Sequence, residues 1–112
     1  MQIKKAYQGI GPDLLHNEIK DLILKQDTVL GENKLETYSV PNDSSSFIAR
    51  GILTFKVGGA TGEAVRVHII GSTKNTTKVL LDVDEKLFPG EKVAALQSDL
   101  DFVFGTYEVK HR

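Results

Sequence analysis

The chain has 112 residues, 40% of them hydrophobic, no cysteine and a formal net charge of −1. That length suits one compact domain spanning residues 1–112, with enough apolar material for a single core. The near-neutral charge argues against a surface built to neutralise the phosphates of nucleic acid or an anionic membrane. The lack of thiols removes disulfides, zinc-thiolate sites and cysteine nucleophiles together.

No apolar run reaches membrane-spanning length, and Met1-Gln2-Ile3-Lys4-Lys5 is not followed by a hydrophobic signal stretch, so a cytoplasmic location is expected. Ile3 to Tyr7 predicts a short strand ended by Gln8-Gly9. A helix over residues 12–26 follows. Pro12 suits its first turn, and Leu15, Ile19, Leu22 and Ile23 recur on one stripe at i, i+4, i+7 and i+8. Asp27 to Asn33 reads as a loop and Lys34 to Val40 as a strand. The core side of that strand is ambiguous, because Leu35 and Thr37 point one way and Tyr38 and Val40 the other unless a bulge switches the phase. Pro41 to Ser46 reads as a polar reversal.

The clearest signal lies between Phe47 and Val83. Side chains alternate across a strand, so Phe47, Ala49, Gly51, Leu53, Phe55 and Val57 form one apolar face, while Ile48, Arg50, Ile52, Thr54 and Lys56 form a mixed one. Gly51 invites a bend. Gly58 to Gly62 supplies a reversal, after which Val65, Val67 and Ile69 should oppose Phe55, Leu53 and Gly51. A third strand from Thr77 to Val83 follows a turn at Gly71 to Thr76. A slip of one residue would bury Lys78 and Asp82, so the register is fixed, with Arg66 opposite Asp82 and Ile52 opposite His68.

Residues 82–101 hold six acids and two bases. Phe88-Pro89-Gly90 predicts a turn and Glu91 to Ser98 two helical turns. Asp101 to Lys110 reads as a closing strand with Phe102 and Phe104 on one face and Val103, Tyr107 and Val109 on the other.

Few residues suggest chemistry. Gly58 to Glu63 lacks the Gly-Lys-Ser/Thr ending of a phosphate loop and opens a strand where such a loop opens a helix. Asp82, Asp84 and Glu85 could gather a hard cation, but no glycine-turned calcium loop follows them, and a solvated strand end is the plainer reading. No metal or cofactor is therefore expected. His16 and His111 read as surface residues, Ser44 to Ser46 as loop, and Asn75-Thr76-Thr77 as a polar turn that matches a glycosylation pattern. His68 stands apart, because it projects beside Arg50, Arg66 and Asp82, where a histidine near a carboxylate can serve as an acid or base. The competing account is an Arg66–Asp82 cross-strand ion pair.

The expected fold is α+β: a curved antiparallel sheet of about five to six strands packed against one N-terminal amphipathic helix. This order of elements resembles the helix-grip and cystatin-like architectures, in which a sheet wraps a helix. The long C-terminal helix of the helix-grip kind is not expected here, and folds of either kind host unrelated functions.

Two functional expectations follow. In the first, the chain is a noncatalytic binding or assembly module, a homo-oligomer or the mate of another protein. Its surface is the mixed sheet face with Ile48, Arg50, Ile52, Arg66, His68, Ile70, Leu80 and Asp82. In the second, a small apolar or amphipathic ligand sits between the helix and the sheet, lined by Leu15, Ile19, Leu53, Phe55, Val67, Phe102 and Phe104. The same side chains would otherwise be ordinary core.

Overall fold

The computed structural model describes residues 1–59, 62–72 and 76–109, with the side chains of residues 43–45 set aside. His111, Lys110, Asn75 and the turn residues Ala60 and Thr61 lie outside that description, as do the side chains of Ser44 and Ser45. Five strands and two α-helices make an α+β fold: β1 (Gln2–Gln8), α1 (Pro12–Leu24), β2 (Thr28–Val40), β3 (Asp43–Val57), β4 (Glu63–Ser72), β5 (Thr76–Val83) and α2 (Gly90–Phe104), with a short 3-10 turn at Gly105–Tyr107. The strands form one open antiparallel sheet in the order β1-β5-β4-β3-β2.

β1 and β2 lie at opposite edges, so the helix between them must cross the sheet. Its thirteen residues span about 20 Å at 1.5 Å per residue, enough to pass over strands spaced about 4.8 Å apart. The stripe of Leu15, Ile19, Leu22 and Ile23 is buried against the sheet, as its periodicity requires. Thr28 ends α1 by donating its hydroxyl to the Ile23 carbonyl at 2.8 Å, and the Lys92 ammonium donates to the Gln26 carbonyl at 3.1 Å just beyond it. The first adds to the Gln26 amide already bonded to a last-turn carbonyl, and the second holds the chain just past the helix end.

The meander follows the expected register. Leu53 pairs with Val67, Phe55 with Val65, Gly51 with Ile69, Ile52 with His68, and Arg66 with Asp82. Besides a shift at the β2–β3 turn, between Ser39 and Val40, two irregularities modify the sheet. One lies where Phe55 pairs with Val65 but Lys56 pairs with Glu63, so Ala64 is the extra residue and both Ala64 and Val65 are buried. The other lies between Leu30 and Asn33, where Gly31 and Glu32 stand against Thr54. The Glu32 amide donates to the Thr54 hydroxyl at 2.6 Å, which is why Thr54 alone on the mixed side of β3 is buried.

Three expectations need correction. Residues 27–33, expected as a loop, largely belong to β2, and the bulge within them switches its phase so that Leu30, Asn33, Leu35 and Thr37 share the inner side with Phe55, Leu53, Gly51 and Ala49. The reversal expected over residues 41–46 is confined to Pro41 and Asn42. Val40 pairs with Asp43, and Asn42 takes φ +66°, the left-handed value that a Pro-Asn turn needs at its second position.

The largest correction is at the C-terminal end. Residues 101–104, expected to open a strand, are the last turn of α2, so the helix expected over 91–98 runs on to Phe104. Val93, Leu96, Leu100 and Phe104 form its buried stripe at spacings of three, four and four, and helical spacing outweighed the β-propensity of the aromatics. After the 3-10 turn the chain returns to β1, where the Val109 amide donates to the Ala6 carbonyl at 2.8 Å.

Candidate binding face and inner polar cluster

The sheet has one face beneath the helices and one facing out. Reading the register across the strands places Lys4, Leu80, His68, Ile52 and Lys34 in one row of the outer face, with Ala6, Lys78, Ile70, Arg50 and Glu36 in the next. Beyond these lie Asp82 and Arg66 at one end and Ile48 and Tyr38 at the other. The expected surface residues Arg50, Ile52, Arg66, His68, Ile70, Leu80 and Asp82 therefore do share one face. Ile48, Ile70 and Tyr38 are 44%, 46% and 49% exposed, so this apolar material is open to water.

Two hollows lie over the middle of the face, and a third of about 300 Å³ lies at its Arg66–Asp82 end. The larger of the two, about 970 Å³, is bounded by Lys4 to Ala6, Lys78 to Leu80, His68, Ile70, Glu108 and Val109. The other, about 310 Å³, runs over Lys34, Glu36, Tyr38, Arg50 and Ile52. His68 and Ile70 line both, which makes the hollows neighbours across β4.

The charges on this face pair differently from the expected arrangement. Arg66 does lie opposite Asp82, yet its guanidinium forks onto Glu63, with Nε and Nη2 donating to the two carboxylate oxygens at 3.0 and 2.8 Å. The expected Arg66–Asp82 ion pair is thus replaced. The bulge at Ala64 turns Glu63 outward onto the same side as Arg66, and the hydrogen bond from Arg66 holds the Glu63 carboxyl below its ordinary range. Elsewhere on the face, the Tyr38 phenol donates to Glu36. Among the described residues, no three histidine, aspartate or glutamate side chains stand close enough to share a metal ion.

Two polar features lie on the inner side, and neither was anticipated. His16, expected at the surface, is only 2% exposed; its Nε2 lies 2.7 Å from the Asn33 amide oxygen, while Nδ1 is buried without a hydrogen-bond partner among the described residues. Nε2–H is the donor in that pair, since an amide oxygen only accepts. Gly51 makes the room, because a Cβ there would stand 2.5 Å from His16 Nδ1. The glycine expected to bend β3 is a seat for a helix side chain. At the β1 edge, the Lys5 ammonium sits 3.3 Å from Glu108 and 3.6 Å from Asp101. Beside it the Tyr7 hydroxyl is buried without a hydrogen-bond partner among the described residues, and its ring packs on Phe104, with centroids 5.6 Å apart. Burial, and then the nearby Glu108 and Asp101 carboxylates, push the Tyr7 phenol well above its ordinary range.

Of the residues considered as a pocket lining, Leu15, Ile19, Leu53, Phe55, Val67 and Phe104 are all fully buried in the core cluster. Phe102 is the exception and a correction. It stands on the far side of α2 from Phe104, 90% exposed. No helix among the described residues is long and apolar enough to cross a membrane. Compared with known proteins by family model, by sequence and by structure, the chain matches none.

Proposed function

We propose that this protein is a small noncatalytic binding or assembly module, working through the outer face of its sheet. One observation carries the reading: the two adjoining hollows have an aliphatic floor of Ala6, Ile52, Ile70 and Leu80. Isolated exposed aliphatics are ordinary on protein surfaces, but a contiguous set rimmed by charge is what interaction surfaces present. The rim is biased toward the basic side, with Lys4, Lys34, Lys78 and Arg50 against Glu36, once Lys5 is set against Glu108. Two such faces laid on each other would oppose like charges. The chemistry therefore fits a protein segment with an aliphatic or aromatic anchor flanked by aspartate or glutamate.

The alternative, a small apolar or amphipathic ligand held between α1 and the sheet, has less support, because all the side chains that would line that space except Phe102 belong to the packed core. A ligand there would have to displace core contacts.

Display selection of peptides on the intact protein tests the proposal. Selected sequences should be apolar and acidic, their amide-shift changes should map to β4 and β5, and Lys78→Glu should weaken them. Binders that instead map to α1 and α2, or that are basic, would overturn it.

A further inference from the structure

The two edges of the sheet are finished differently. At β1 the chain end comes back alongside, with Tyr7 bridged to Glu108 and the Val109 amide bonded to Ala6. At β2 no strand follows in the sheet order among the described residues, and Lys34 to Ser39 are all exposed. An unpaired edge is a row of open amides and carbonyls, and proteins usually blunt one with proline, bulges or charge. Here proline and the bulge both lie outside the stretch 33–39, which pairs regularly with β3. Charge remains, and its arrangement is the informative part.

We infer that the β2 edge pairs antiparallel with β2 of a second copy, on a two-fold axis at Leu35, so that the two sheets run on as one. A two-fold axis that keeps both outer faces on the same side allows only registers that differ by steps of two residues. Centred on Leu35, the register sets Lys34 opposite the other copy's Glu36, and Glu36 opposite its Lys34, on the outer face. Leu35 then meets Leu35 on the inner side, where it is otherwise 36% exposed. The adjacent registers, centred on Lys34 or on Glu36, set lysine against lysine or glutamate against glutamate. One register is thus selected by attraction and its neighbours by repulsion, which is how a self-complementary interface gains specificity. The contact lies at the sheet's edge and does not depend on what occupies the outer face. It would place the two outer faces side by side as one longer surface.

Sedimentation of the whole chain tests this with charge exchange. The wild type should show a concentration-dependent dimer. Lys34→Glu and Glu36→Lys should each weaken it by roughly tenfold or more, since each turns two opposite-charge pairs into two like-charge pairs. The double exchange re-forms both pairs with signs reversed and should restore the dimer, which a mere loss of folding could not do. The sequence has no cysteine, so a single introduced thiol reports cleanly. Leu35→Cys should cross-link two copies on mild oxidation, because facing residues of an antiparallel pair lie within disulfide reach. Ile70→Cys, out on the face, should not. A monomer at every concentration, a dimer indifferent to both charge reversals, or cross-linking through Ile70→Cys in place of Leu35→Cys would each overturn the inference.

Discussion

Leu53 and Phe55, on the inner side of β3, are fully buried in the core beneath the helical layer, whereas Ile48 and Arg50, on the outer side of the same strand, stand in solvent. The inner face holds its side chains by packing, and its polar groups are few and individually placed: His16 on Asn33, and Tyr7 against Phe104. The outer face holds aliphatic and charged groups that lie outside the core cluster. The difference separates side chains that form the core from side chains that are open to contact. Substitutions on the two faces should therefore fail in different ways.

The largest effect should come from the inner face. Leu53→Ala removes a fully buried side chain and should destabilise the fold by about 2 to 5 kcal/mol in denaturant titration. An effect no larger than that of Lys56→Ala, on the exposed side, would reverse the assignment of faces. Next is Gly51→Ala, which puts a methyl group where His16 Nδ1 already sits and should cost roughly 1 to 3 kcal/mol through overpacking. The seat is specific, so the cost should shrink when His16→Ala is made as well. If the two changes add without coupling, Gly51 is needed for the backbone and not for the histidine.

Tyr7→Phe should act in the opposite direction. Its buried hydroxyl has no hydrogen-bond partner among the described residues, so deleting it should raise stability by roughly 1 kcal/mol at neutral pH. The pH dependence sharpens the point. A phenol whose folded pKa is raised contributes stability that is fully present below the unfolded value of about 10 and is lost as pH rises beyond it. Wild type and Tyr7→Phe should therefore diverge further above about pH 10, and parallel stability curves there would show that the hydroxyl reaches water.

Much of the inner face is legible in the sequence because alternation and helical periodicity are statements about burial. The meander register from Gly51 to Asp82 follows from keeping apolar positions on one side, and α1 follows from the spacing of Leu15, Ile19, Leu22 and Ile23. What escapes is whatever depends on one extra residue or one distant partner. The Ala64 bulge hands Arg66 to Glu63 in place of Asp82, and nothing local to Glu63 announces it. His16 looks like a surface residue until Gly51 is brought opposite it. The end of α2 misleads for a different reason, since Phe102 and Val103 are exposed apolar residues that imitate strand alternation. The stripe Val93, Leu96, Leu100 and Phe104 is visible only when the window is not cut at Ser98.

The smallest effect on stability, and the one that decides between the faces, is expected at Ile70. It follows Ile69 in β4, but Ile69 is buried in the core while Ile70 lines both adjoining outer hollows. Ile70→Asp leaves the new carboxylate in water, with Lys78 opposite on β5 and Arg50 opposite on β3, so unfolding free energy should change by no more than about 0.5 kcal/mol. Binding should respond quite differently. A partner seated over the aliphatic floor would have to desolvate that carboxylate, and one bearing acids would also meet a like charge, so selected apolar and acidic peptides should lose affinity well beyond tenfold. A variant that keeps its stability and its peptides alike would mean that the outer aliphatics are incidental. One that unfolds would mean that this face is internal to a larger assembly.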